Sequence, residues 1–253
     1  MCHRNGGPPQ SRLEPRNWVL AALPPKDLGR LRPHLQPVAL LRGEVLPKAG
    51  EALTRAYFVE TGVLALVTVF QNGATAVSAI AGREGVVGVG ALLGGDVDVG
   101  RYVVHVTGSA LTMKACRFRA ALRESPRLRT TCQAYARALL GQLLQNTACH
   151  TAHTVEERCA RSLLVIHDRS NGDTLRLTHE SLAEMLGVAR STAASVTRTL
   201  HQARLIRYSQ GDITVLDRAR LEAAACECYV VDRAYYQRLL PRAFERRERS
   251  PSG

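Results

Sequence analysis

Between residues 190 and 200 the chain sets Arg190, Ser191, Thr192, Ser195 and Arg198 against Ala193, Val196 and Leu200, which fall on the opposite side of a helical period. That outward set does recognition chemistry rather than bond-making chemistry. An arginine fork matches the O6 and N7 acceptors of guanine, and small hydroxyls reach base edges or phosphate oxygens. From Met185 to Gly211 there are four arginines (Arg190, Arg198, Arg204, Arg207) and no acid, so the local potential suits a polyanion. Arg190, with Ser191 and Ser195, is the candidate base reader in double-stranded DNA. Thr178, Thr192 and Arg198 are the candidates that position the phosphate backbone. An ordinary helical hairpin with a solvated face is the plain alternative, and the flanking elements decide between the two.

Those elements form a recognisable frame. Thr178 is a good N-cap before a helix that lines up Leu182, Ala183, Met185 and Leu186. Gly187 ends it where the chain must turn sharply, and small Ala183 lets the next helix approach. After that helix, Leu205 to Tyr208 and Ile213 to Leu216 flank the turn Ser209-Gln210-Gly211-Asp212, a hairpin placed as a wing. Thr154 to Glu157 reads as a capping box, Leu175 to Leu177 as a short strand, and Asp217 as the cap of one more helix. The segment is a winged helix-turn-helix.

The first half has a different grain. From Val38 to about Ala115, short apolar runs alternate with turn residues, and Asn72-Gly73 between β-branched runs marks a hairpin. This predicts an antiparallel β-roll or jelly roll. Its glycine-rich stretch, residues 82–95, implies a tight loop and close backbone approach, either for a turn or for an anionic ligand. From Ser125 the period turns helical, with Leu128, Cys132, Tyr135, Leu139, Gln142, Asn146 and Cys149 in a heptad seam and Ala136, Leu140, Leu143 and Thr147 on another line. A helix apolar on two sides points to a partner helix of a second copy, with Gln142 and Asn146 setting register. Burial within one chain is the alternative.

The resulting fold class is α+β. Residues 1–17 are read as a disordered tail, 18–124 as a β-roll sensor domain, 125–153 as a dimerisation helix, 154–228 as the winged helix-turn-helix, and 229–253 as a helical or disordered extension. The 253-residue chain carries a net charge of +12, which favours an anionic partner, although the first 154 residues hold more of the excess than the reading domain. Seven cysteines occur without a C-x-x-C pair, so the spacing suggests neither zinc, iron–sulfur nor haem ligation, and buried thiols are expected with one redox-sensing cysteine as the minority case. No apolar run approaches the roughly 20 residues needed to span a bilayer, and no signal peptide is visible, so a cytoplasmic protein with no membrane partner is expected. His34 and His105 form no H-x-H pair, and neither a nucleophile elbow nor a phosphate-binding P-loop is present, which argues against an enzyme.

Taken in order, GREGVVGVGALLGGD, HTVEERCARSLL and LTHESLAEMLGVARSTAASVTRTL resemble the Crp/Fnr family of bacterial transcription regulators, over roughly residues 20–228. The segment Ala223 to Tyr229, AAACECY, is similar to a subgroup of that family. The resemblance implies a homodimer whose β-roll receives a signal that repositions two DNA-reading domains, with RNA polymerase as a further candidate partner. It implies an effector site at Gly88 and Arg101, yet against cyclic AMP. Val89 stands where a glutamate would accept from ribose, Tyr102 replaces a small hydroxyl residue, and Leu143 and Leu144 replace an adenine-facing hydroxyl pair. Each lost polar partner costs about 1–3 kcal/mol. A phosphate-bearing ligand at Arg101 stays open, and the effector is unassigned. On the reading helix, Arg190 keeps the first base-reading position, but Ser191 and Ser195 replace a glutamate and a second arginine. Ala189 replaces a capping serine, and Asp212 stands where the wing would carry a basic residue, which would move that contact to Arg207. The half-site should therefore differ from that of cyclic-AMP regulators. A ligand-sensing β-roll protein that acts through protein contacts is the alternative from another class.

Overall fold

A computed structural model describes residues 14–46, 52–98, 100–170 and 172–240. The remainder of the proposed terminal tail and the last thirteen residues of the proposed extension lie outside the described residues. Order reaches back at least to Asn17, which is fully buried. Its side-chain oxygen accepts from the amides of Val19 and Leu20, and its Nδ2 donates to the carbonyls of Val59, Arg83 and Gly85. That set anchors helix α1 (Trp18–Ala21), which is followed by α2 (Pro25–Leu31) and a 3-10 turn at Arg32–His34.

The β-roll is wholly antiparallel. Strands β1 (Gln36–Leu40), β2 (Val45–Leu46), β3 (Arg55–Val69), β4 (Thr75–Ala81), β5 (Val86–Val87) and β6 (Arg101–Lys114) form one sheet with the order β1-β6-β3-β4, β2 adding to β6 and β5 to β3. A one-turn helix, α3 (Val89–Leu92), sits in the glycine-rich loop. Strand β3 is apolar on both faces because both are covered. Leu64 and Leu66 enter the roll's core, while Val63, Ala65 and Val67 join Ile80 in the core of the second half. Burying each such valine or isoleucine contributes about 1.5–3 kcal/mol, so the outer face of the sheet is a docking surface for the reading domain.

Helix α4 (Ala115–Glu124) leads to α5 (Pro126–Ala152), capped by Ser125, whose Oγ accepts from the Leu128 amide at 3.1 Å. The heptad seam of α5 is buried within its own chain. Leu128, Cys132, Tyr135 and Leu139 belong to the roll's core. Gln142 Oε1 accepts from the Ile80 amide, Asn146 Nδ2 donates to the Ser78 carbonyl, and Asn146 Oδ1 accepts from Arg161. Gln142 and Asn146 thus fix α5 on strand β4, so they are not free to set register between two copies. The amphipathic line left outward includes Leu140 and Leu144, 57% and 66% exposed.

Beyond the hinge at His153 and Thr154 come α6 (Val155–Arg169), β7 (Thr174–Arg176), α7 (His179–Leu186), α8 (Arg190–Gln202), β8 (Ile206–Ser209), β9 (Asp212–Val215), α9 (Arg218–Ala223) and α10 (Cys228–Leu239). The Thr154–Glu157 capping box forms, and Asp217 caps α9. Helix α10 is part of the folded body rather than an appendage, because Tyr229, Asp232, Tyr236 and Leu240 are buried. Asp232 pairs with Arg161, and Tyr236 lies under the Arg169 guanidinium. The two halves are also joined by a buried ion pair, Arg169 Nε to Glu84 Oε1 at 2.5 Å, and by Arg83 Nη2 donating to the carbonyls of Arg169 and Ser170. Among the described residues, no helix is long and apolar enough to cross a membrane.

Candidate nucleic-acid interface

Thr178 caps α7 through its hydroxyl, which accepts from the Ser181 amide at 3.4 Å. Gly187 ends the helix at φ +63°, the left-handed geometry that a side chain disfavours. Arg158 Nη1 holds this corner from α6, donating to the Leu186 carbonyl at 3.0 Å and lying 2.5 Å from His150 Nδ1. Ala193, Val196 and Leu200 of α8 then pack inward with Leu182 and Leu186. Ala189, as N-cap, offers no side-chain acceptor, so the first-turn amides of α8 point outward without a side-chain cap.

The expected recognition residues sit where this frame puts them, with two qualifications. Ser191, Ser195 and Arg198 are exposed on one side of α8, and Thr192 is half-buried. Arg190 is 70% exposed but pairs with Glu180 of α7, Nε to Oε1 at 2.6 Å, so a guanine must compete with that carboxylate. Thr178 is half-buried, and its Oγ1 accepts from Arg42 Nη2 of the β-roll at 2.8 Å, as does Ser181 Oγ. Neither Glu180 nor Arg42 was apparent as a partner in the sequence, because no local spacing links them to these positions. The wing is a hairpin with Ser209 opposite Asp212 and a turn at Gln210 and Gly211, both at positive φ. His179 stacks on Tyr208, ring centroids 4.1 Å apart, tying the start of α7 to the wing. Burial, reinforced by Arg190 and Arg198, lowers the His179 pKa against the opposing pull of Glu180.

The proposed effector residues lie on the β-roll. The amides of Gly88 and Gly90, at the start of α3, both donate to the Asp98 carboxylate, at 2.7 and 2.9 Å. A Cβ on Gly90 would fall 2.0 Å from the Val97 carbonyl oxygen, so the loop closes only with glycine there. Two donors aimed at an anion are therefore already met by an internal one. Arg101, half-buried at the start of β6, has its Nε buried without a hydrogen-bond partner among the described residues.

The cysteines require a correction. Cys132 and Cys159 are isolated in the cores, where burial pushes each thiol up to about 12. Cys149, Cys226 and Cys228, however, converge with His153 despite their wide separation in the chain, the four ligand-type atoms all lying within 4.8 Å of one another. The expectation that no metal-ligand set would assemble fails because α10 turns back against the end of α5. Only Cys149-x3-His153, one helical turn, and Cys226-x-Cys228 hinted at it locally.

Residues 37–125 match the cyclic nucleotide-binding domain, and residues 157–224 match the Crp-like helix-turn-helix domain. No curated protein sequence matches the chain. Among solved structures, FixK2 of Bradyrhizobium japonicum is 17% identical with a TM-score of 0.66, covering 76% of this chain and 98% of its own. A CRP-family transcriptional regulator of Thermus thermophilus is 20% identical with a TM-score of 0.60, covering 74% and 96%. The c-di-GMP-responsive global regulator CLP of Xanthomonas campestris is 16% identical with a TM-score of 0.59, covering 75% and 98%. With the two domains in this order on one chain, joined by a long helix, the protein belongs to the Crp/Fnr family of regulators.

Proposed function

We propose that the protein is a homodimeric, sequence-specific regulator in which Arg190 reads a guanine, Ser191 and Ser195 contact neighbouring base edges, and Thr178, Thr192 and Arg198 position the backbone. The observation that carries this reading is the outward face of α8: exposed, free of acids, and flanked by a hairpin wing. Two copies would meet along α5 through Leu140 and Leu144, the large apolar residues that the chain leaves uncovered there. Double-stranded DNA is the partner, RNA polymerase the expected protein contact, and the cytoplasm the expected location. Gly88 and Arg101 remain the effector residues of the roll, with cyclic AMP disfavoured because Val89, Tyr102, Leu143 and Leu144 supply none of its polar contacts.

Arg190→Ala tests the reading. At fixed salt, the ratio of specific to random-duplex affinity should fall by about 1–3 kcal/mol, roughly fivefold to 150-fold. An unchanged ratio sinks the assignment. A second reading has its own support: Arg42 engages Thr178 and Ser181, while Thr75 and His105 approach Glu184, so the β-roll grips the helix that should face phosphate. In that reading the roll senses a ligand and signals through protein contacts. A steep negative slope of log affinity against log salt favours the DNA regulator, and no binding at low salt by a stable dimer favours the second reading.

A further inference from the structure

Three thiols and an imidazole meet at the hinge, in a cluster separate from both main cores. Cys149 lies on the last turn of α5 and His153 caps it, four residues on and on the same face. Cys226 and Cys228 flank Glu227 at the start of α10. The Cys149 and Cys226 sulfurs are 3.5 Å apart, and His153 Nδ1 is 3.6 Å from the Cys228 sulfur. Around a tetrahedral zinc ion, with Zn–S about 2.3 Å and Zn–N about 2.0–2.1 Å, neighbouring ligand atoms lie about 3.5–3.8 Å apart. Those two contacts already have that spacing.

The surrounding groups are also those of a metal site. His153 Nε2 is 3.0 Å from Glu227 Oε2, so an Nε2–H donating to that carboxylate fixes the tautomer whose Nδ1 lone pair faces the thiols. Gln145 Nε2 donates to the Cys228 sulfur at 2.9 Å, a bond suited to thiolate. Arg161, already paired with Asp232, is close enough for its charge to act on Cys149 and Cys226 as well. Simple apolar packing of thiols would not recruit an imidazole, a carboxylate and an amide donor to one point. An iron–sulfur cluster would hold its cysteines farther apart, since a multi-atom core must fit between them.

We propose that Cys149, His153, Cys226 and Cys228 bind one structural zinc ion. Its ligands bracket residues 154–225, the whole reading domain, at the two points where the chain enters and leaves it. The ion is therefore a clasp that sets how this domain sits on the β-roll and α5. A consequence that rests on the DNA-regulator reading is that clasp occupancy governs DNA affinity.

The test uses the full-length protein and the metals alone. Elemental analysis should find about one zinc per chain. Cobalt(II) added to metal-stripped protein should give the visible bands of a tetrahedral site and a near-ultraviolet sulfur-to-cobalt charge-transfer band, discharged by zinc. Cys226→Ser and Cys228→Ser should abolish these bands, Glu227→Gln should weaken cobalt binding 10–100-fold, and Cys132→Ser should leave it intact. His153→Cys keeps the proposal testable if the serine variants fail to fold: it should retain one cobalt with a shifted, more intense charge-transfer band. Absence of cobalt bands in the wild-type chain, a native Cys149–Cys226 disulfide, or iron with inorganic sulfide would each overturn the clasp. None of these readouts involves DNA, so failure of the Arg190 experiment leaves them standing.

Discussion

The glycine loop around Gly88 and the thiol–imidazole cluster at Cys226 both gather groups that could receive a charged ligand, and they treat charge in opposite ways. At the loop, two backbone donors that would welcome an anion are answered by the protein's own Asp98. At the cluster, the gathered groups are ligands for a cation, and the chain supplies only their orientation, through Glu227 and Gln145. A donor pair answered from within becomes part of the scaffold. A set of soft ligands held face to face stays dependent on what it binds. The proposed clasp would therefore make the hinge, next to the reading domain, dependent on a bound ion, whereas the amides of the loop depend on Asp98 of the same chain.

The largest effect should come from stripping metal. If the clasp contributes on the order of 3–5 kcal/mol, the melting temperature should fall by about 6–20 °C, at about 2–4 °C per kcal/mol for a chain of this size. Thermal scans with and without a strong chelator, then with zinc restored, would check this. An unchanged melting temperature would place the cluster in the same self-satisfied class as the loop and remove the contrast.

The reading domain was legible in the sequence because each of its parts is announced within a few residues. Thr178, Gly187, the Thr154–Glu157 box, the Gln210-Gly211 turn and Asp217 all act locally, and all take the expected places. Asn72-Gly73 likewise makes its hairpin between β3 and β4. What was illegible depends on contacts between distant segments. The α5 seam was visible, but which body it faces was not, since Tyr235 and Tyr236 of α10 and the edge of β4 decide it. Tyr229, Asp232, Tyr236 and Leu240 do recur at three- and four-residue intervals, a helical stripe that could have marked the chain's end as buried. The metal-ligand set had no such signal beyond its two short pairs, because its assembly depends on that docking.

A smaller effect sharpens the loop's side of the comparison. Asp98→Ala leaves the Gly88 and Gly90 amides without their acceptor, which should cost about 1–3 kcal/mol. Inorganic phosphate should then raise the melting temperature of the variant and not of the wild-type protein. A variant as stable as wild type and blind to phosphate would mean that Asp98 is incidental and that the loop is no anion cradle at all.

The smallest expected effect is a pH dependence where the roll meets the reading domain. His105 is buried on β6 with Nε2 3.4 Å from Glu184 of α7. Burial lowers its pKa, Glu184 opposes that shift, and Arg42 reinforces it. With the folded-state pKa below the unfolded value of about 6.5, the unfolded chain takes up the proton first as pH falls. The stability of this contact is therefore complete above about pH 6.5 and declines on acidification toward the folded-state pKa. His105→Gln should remove that part of the decline between pH 7 and pH 5 in denaturant titrations. The charges that act on His105 are those of Glu184 and Arg42, not of Asp98 or the hinge cluster, so the same titration separates domain docking from either form of ligand chemistry. A His105→Gln profile parallel to wild type would mean that Glu184 compensates fully and that this contact carries no proton-linked stability.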